Sequence, residues 1–183
     1  MVWIILGAIV LVLVIYVAST YNKLVTNRNK VKDGWAQIDV QLKRRADLIP
    51  NLVETVKGYA THEKETLEEV IKARNSFNTA STVEEEIEAN NQITGALNRL
   101  FALSEAYPDL KANTNFLSLQ NDLKDAEEKI SYARQFYNDI VLRYNNAVEM
   151  FPSNIIAGMF GFKVSKFFEI ENAKDKETPK VSF

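Results

Sequence analysis

The sequence predicts an all-α protein, an antiparallel up-and-down helical bundle carried on an N-terminal transmembrane helix. Three observations point there. The first 22 residues carry no charged side chain. From Val31 onward apolar residues recur at steps of three and four, and no stretch shows the alternation of a strand. Glycine and proline number only 6 and 4 in 183 residues, a scarcity that long helices tolerate better than turn-rich β folds do.

The opening element is the membrane anchor, residues 1–22. Val2 to Ala18 is almost wholly apolar, and a helix needs about 20 such residues to cross the hydrocarbon core. Trp3 at one end and Tyr16 and Tyr21 at the other sit where interfacial aromatics do, and Lys23 is the first charge beyond them. A cleaved signal peptide would need a basic leader, a shorter apolar core and a small-x-small cleavage site. No Lys or Arg precedes this run, and Ala18-Ser19-Thr20 fits a cleavage site only loosely, so the segment reads as an uncleaved anchor. Basic residues lie only on its C-terminal side: Lys23, Arg28, Lys30 and Lys32, then Lys43, Arg44 and Arg45. The positive-inside rule therefore expects the N-terminus outside and the rest of the chain in the cytoplasm of a single-pass cell (inner) membrane protein. The same cluster would lie close to anionic head groups, which makes the lipid bilayer the first partner.

Residues 23–170 read as the bundle. Its first helix is expected over about 23–78, with a seam through Val31, Trp35, Ile38, Leu42, Ile49, Leu52, Val56 and Tyr59. Arg45 takes the seam position between Leu42 and Ile49. It is either a snorkelling arginine paired with a carboxylate or an interior contact that fixes how the helices meet. Arg44 and Asp47, three apart, can pair on the helix surface. Pro50 removes a backbone donor, and a kink is expected there, with the helix continuing through Leu67, Val70, Ile71 and Phe77. The second helix spans about 83–106. Glu84, Glu85 and Glu86 suit its positive N-terminus, and Pro108 follows its end. The third, about 114–151, keeps its three–four rhythm from Phe116 to Phe151; at that length it is about 50 Å long. A short apolar and aromatic piece over 155–170 either caps the bundle or touches a partner or a membrane, and Gly158 and Gly161 allow it to bend back. Residues 171–183 are charged and expected to be a disordered tail.

Four stretches carry a family resemblance. Trp35-Ala36-Gln37-Ile38-Asp39-Val40-Gln41-Leu42-Lys43-Arg44-Arg45-Ala46-Asp47-Leu48-Ile49-Pro50-Asn51-Leu52-Val53-Glu54-Thr55-Val56 is the most specific. The others are Tyr59-Ala60-Thr61-His62-Glu63-Lys64-Glu65, Tyr107-Pro108-Asp109-Leu110-Lys111-Ala112-Asn113 and Ala133-Arg134-Gln135-Phe136-Tyr137-Asn138. Together they resemble the LemA family of bacterial membrane proteins over nearly the whole chain. The resemblance implies a single-pass inner-membrane protein with a four-helix bundle and supplies no reaction. Some members of that family are associated with membrane-organelle formation and others are encoded beside a membrane metalloprotease, which implies scaffold or adaptor roles.

The residue inventory excludes much chemistry. With no cysteine there is no disulfide scaffold, thiol nucleophile or iron–sulfur cluster, and with one histidine, His62, no site needing two imidazoles. His62-Glu63 lacks the second histidine of a zincin, since Thr66 stands in its place. No Gly-rich phosphate loop or nucleophile elbow is present, and a net charge of −2 gives no reason to expect nucleic acid. Tyr137, Asn138, Tyr144 and Asn145 form a polar-aromatic repeat that reads as core with hydrogen-bonding tips rather than a ligand site. The expectation is a protein that is not an enzyme and carries no cofactor or metal. Arg44, Arg45, Asp47, Pro50 and Asn51 are its candidate interaction surface. Its partners would be the bilayer, further copies of itself, or another membrane protein. The alternatives are an adaptor for a membrane-bound metalloprotease and an enzyme with its site in the bundle.

Overall fold

The computed structural model describes residues 1–169, and among them the fold is all-helical with no strand. The tail expected over 171–183 lies outside the described residues. The helices are α1 (Val2–Lys57), α2 (Lys64–Thr79), α3 (Val83–Ser104), α4 (Pro108–Lys111), α5 (Thr114–Glu149) and α6 (Ser153–Met159). The anchor and the first bundle helix are thus a single element, and α1 passes through Pro50 unbroken.

The helix expected over 23–78 is corrected to two. It ends at Lys57, and Gly58 to Glu63 form a turn in which the amides of Tyr59 and Ala60 both donate to the Val56 carbonyl. Glycine costs about 1 kcal/mol in a helix interior. Folding back at Gly58 buries Leu67, Val70, Ala73 and Phe77 along one face of α2. In the piece read over 155–170 the helix is short, Ser153–Met159, and starts two residues before the expected bound. Gly161 follows with φ of 70°, a left-handed conformation. The Phe162 amide donates to the Ala157 carbonyl at 2.9 Å and the Gly161 amide to that of Gly158 at 3.3 Å. This is a glycine-terminated helix end, and both Ala157 and Phe162 are buried.

The chain forms two compact units. One comprises Met1–Asp39 and Ser131–Phe167. Its interior holds Leu24, Val31 and Ile38 from α1, Tyr137, Val141 and Tyr144 from α5, and Ile156, Ala157 and Phe162 from the C-terminal piece. Val31, Ile38, Tyr137 and Tyr144 keep the spacing read in the sequence, while Val141 is buried where the pattern places Ile140. Residues 1–16 are exposed throughout. Burial pushes the Tyr144 phenol up, and Arg28 opposes the shift.

The other unit comprises Val40–Ile130, with Phe168 and Glu169. Here α2 and α3 are antiparallel neighbours, and Arg99 clamps both oxygens of Glu69 at 2.6 and 2.8 Å. Thr82 starts α3 with a capping box: its hydroxyl accepts from the Glu85 amide, and the Glu85 carboxylate accepts from the Thr82 amide. Further bonds from Ser81 hold the Glu85 carboxyl below the usual carboxylate range. Leu42, Ile49, Leu52 and Val56 of α1 meet the interior beside Ile93, Leu97 and Leu100 of α3 and Phe116, Leu123 and Ile130 of α5.

Candidate functional site

The five residues expected to form one interaction surface are divided by the fold. Arg44, Asp47, Pro50 and Asn51 lie on the exposed side of α1, whereas Arg45 is 4% exposed. One helical position separates Arg44 from Arg45, and a step of 100° is enough to carry the guanidinium from solvent to interior. Arg44 reaches Asp125 of α5 at 3.7 Å rather than Asp47. Asp125 also accepts from Lys129 at 2.8 Å, and this bond, with Arg44 assisting, holds its carboxyl below the usual range.

Around Arg45 the unit builds a polar centre from three helices. Nη1 donates to Asn90 Oδ1 at 2.9 Å and to Thr94 Oγ1 at 3.0 Å, both on α3, and lies 2.8 Å from Glu127 Oε2 on α5. The Thr94 hydroxyl donates in turn to the Asn90 carbonyl. Asn90 is itself buried, while Glu127 is half-exposed. Burial pulls the Arg45 pKa down, and the Glu127 charge resists that pull. The group stays cationic at neutral pH because an arginine starts so far above it. One side chain thereby fixes the register of α1 against α3 and α5.

Pro50 acts through the carbonyl it leaves free. A helical residue at 50 would donate its amide to Ala46, and proline cannot. Arg74 of α2 takes that acceptor instead, Nε to the Ala46 oxygen at 3.1 Å. The local defect in α1 becomes a bond to the neighbouring helix. Sequence reasoning identified Pro50 and missed Arg74, whose only signal was a cation on the opposite limb of the Gly58 turn.

Two of the motif stretches meet each other. The Tyr107 hydroxyl donates to Glu63 Oε1 at 2.9 Å, which raises the phenol's pKa. Asn113 Nδ2 donates to the Tyr59 hydroxyl at 2.8 Å, and Asn113 Oδ1 accepts the Phe116 amide at the start of α5. The turn after α1 is thus tied to the connection before α5. His62 sits exposed in that turn. Among the described residues no group of three or more His, Cys, Asp and Glu is placed to hold a metal ion. A groove of about 500 Å³ at the α2–α3 corner is lined by Ser76, Thr79, Glu84, Glu88 and Gln92, none of them a motif residue.

In the unit that holds the N-terminus, Trp35 meets Tyr137 edge-on at 5.6 Å. The Tyr137 hydroxyl donates to the Lys166 carbonyl at 3.1 Å. Asn145 clasps Ser165 by both backbone groups, each at 2.8 Å. Tyr21 lies 4.8 Å from the Phe160 ring and 5.7 Å from that of Phe162, and the Arg28 guanidinium stands over Phe162 at 5.1 Å. The anchor residues Trp3, Tyr16, Tyr21 and Lys23 are all exposed, and Tyr21 also meets the rings of the C-terminal piece. Residues Val2–Lys57 include a stretch long and apolar enough to cross a membrane.

Protein LemA of Metamycoplasma hominis is 28% identical over 140 residues, 74% of this chain and 63% of that protein. Magnetosome protein MamQ of Magnetospirillum gryphiswaldense is 24% identical over 189 residues, 88% of this chain and 70% of its own length. Magnetosome protein MamQ 2 of Paramagnetospirillum magneticum is 24% identical over 181 residues, 85% and 66%. The chain therefore spans about two thirds of the length of the curated relatives it matches. The LemA family model covers residues 34–183, a stretch that takes in all four motif segments, and the chain belongs to the LemA family.

Proposed function

We propose that this protein is a non-catalytic, membrane-anchored helical scaffold of the bacterial cell membrane, with its N-terminus outside and a four-helix antiparallel bundle in the cytoplasm. One observation carries the reading: the motif residues are spent on joining helices. Arg45, Tyr59, Tyr107 and Asn113 each bond to another helix or its connection, as does Arg74 outside the motifs, and none of the five lines the grooves along α2. An enzyme site would bring titratable groups together around a pocket. The pairs Tyr59–Asn113, just beyond α1 and just before α5, and Arg45–Glu127 run in opposite senses along those two helices, and the short turns after α1 and α2 return the chain so that Arg74 meets Ala46 and Arg99 meets Glu69. That ordering supports four antiparallel helices.

Membrane anchoring rests on the exposed apolar run of residues 1–16, and the orientation on the one-sided basic flank. The exposed face of α1 carrying Arg44, Asp47, Pro50 and Asn51 is the surface for another membrane protein or a second copy. Protease added to intact spheroplasts tests the orientation: the bundle should survive until the membrane is permeabilised. Digestion beforehand would place it outside. Cross-linking in native membranes followed by mass spectrometry tests the scaffold, with adducts expected through the lysines that flank this face. Only intramolecular adducts would count against it.

A further inference from the structure

The unit holding the N-terminus leaves an apolar surface uncovered at the end of α5 and along α6. Phe151 is 79% exposed and Met159 72%, and Met150, Ile155 and Phe160 are each more than half exposed. Ile155 and Met159, four apart on α6, share one side, while Ile156 and Ala157 of the same helix are buried; Phe151 lies open in the junction just before it. A cluster of exposed aromatic and aliphatic side chains marks a contact site.

Its position says what covers it. Phe160 and Phe162 meet Tyr21, which lies three residues past Ala18, the end of the apolar run. Three residues are about 5 Å of helix. The turn after α6 is therefore held at the level where α1 leaves the hydrocarbon. The charge pattern agrees: residues 150–168 contain Lys163 and Lys166 and no carboxylate. Lys163 is exposed, and Arg28 lies against the Phe162 ring. Large apolar side chains with lysine and no acid are the composition of a segment that lies in an anionic membrane interface.

We propose that α6 and the turn after it form a second membrane contact, with Phe151, Ile155, Met159 and Phe160 dipping into the headgroup–acyl boundary beside α1. This rests on the reading of residues 2–18 as a membrane span. A single helix can rotate and tilt freely in a bilayer; a second contact beside it fixes which side of α1 faces the lipid surface.

The chain has no cysteine, so single spin labels can be placed in the full protein. The variants are Val12→Cys in the span, Ile155→Cys and Met159→Cys on α6, and Tyr132→Cys as an exposed control. Tyr132 precedes Tyr137, whose partner Trp35 lies 14 residues beyond Tyr21, about 21 Å along α1. Each is reconstituted into phosphatidylglycerol-containing vesicles and probed with oxygen and a water-soluble nickel chelate. The oxygen-to-nickel accessibility ratio at Ile155 and Met159 should be several-fold above that at Tyr132 and below that at Val12. Ratios equal to Tyr132, with Val12 immersed, would overturn the contact and leave the span standing. A water-exposed Val12 would overturn both. Labels at Ile155 and Met159 shielded from both probes, with spin–spin broadening that vanishes on dilution with unlabelled chain, would show that a second copy covers the face, and the lipid contact would fall.

Discussion

Arg45 shows how one residue is held by groups that have no sequence relation to it. Its charge is removed from water and compensated on one nitrogen, which faces Asn90, Thr94 and Glu127. Truncating a partner in such a centre strands another buried polar group, which costs about 1–3 kcal/mol, while replacing both partners with apolar groups can be nearly neutral. Arg45→Met should therefore lower stability by about 1–3 kcal/mol, because Asn90 loses its donor in the interior. Arg45→Met with Asn90→Leu should recover much of that loss, as read in denaturant titrations of the four species of the cycle. Additive losses would show that Arg45 acts elsewhere. Glu85 gives a pH prediction. Its folded pKa is depressed by the bonds from Ser81 and Thr82, so its contribution is present above the unfolded carboxylate value and lost as pH falls through the folded one. Glu85→Gln should flatten the fall of melting temperature between about pH 5 and 3. An unchanged acid limb would remove Glu85 from that role. At this scale the sequence exposed the anomaly, a cation at a seam position, but not its partners, which lie on other helices with no local signal.

The elements show the same division between what is periodic and what is not. The seams of α1, α3 and α5 were readable because burial follows the helical repeat, and Leu42, Ile49, Leu52 and Val56 are all buried as that repeat requires. The Gly58 turn was not, because Leu67, Val70 and Phe77 keep a helical rhythm of their own and a rhythm does not tell a continuing helix from one that folds back. Pro50 is expected to leave the helix continuous, and α1 does run through it, with the freed Ala46 carbonyl satisfied by Arg74. This predicts an energetic coupling between two residues 24 positions apart in the chain. Arg74→Met should cost about 1 kcal/mol in the native background. In the Pro50→Ala background, where residue 50 can donate to Ala46, the same change should cost close to nothing. Equal costs in both backgrounds would mean that the Arg74 bond to Ala46 is incidental.

The C-terminal piece has two sides with different surroundings. One side is interior: Ile156, Ala157 and Phe162 are buried, and Asn145 and Tyr137 bond to the backbone at Ser165 and Lys166. The other side, with Phe151, Ile155 and Met159, is open. The sequence offered capping and contact as alternatives, since aromatic content alone does not say which ring turns inward; with Gly161 reversing the chain, one short segment buries one side and leaves the other open. A chain ended after Pro152 would lose at least two large buried side chains, worth about 1.5–3 kcal/mol each. For a chain of this length that corresponds to a fall in melting temperature on the order of 10 °C in detergent. The paired substitution Ile155→Ser and Met159→Ser touches only the open side, so its melting temperature in detergent should stay within about 2 °C of the native chain's. If the truncated chain melts normally, the buried side contributes nothing and the segment is not a cap. If the paired substitution destabilises as much as the truncation, the open side is part of the core, and the division between the two sides fails.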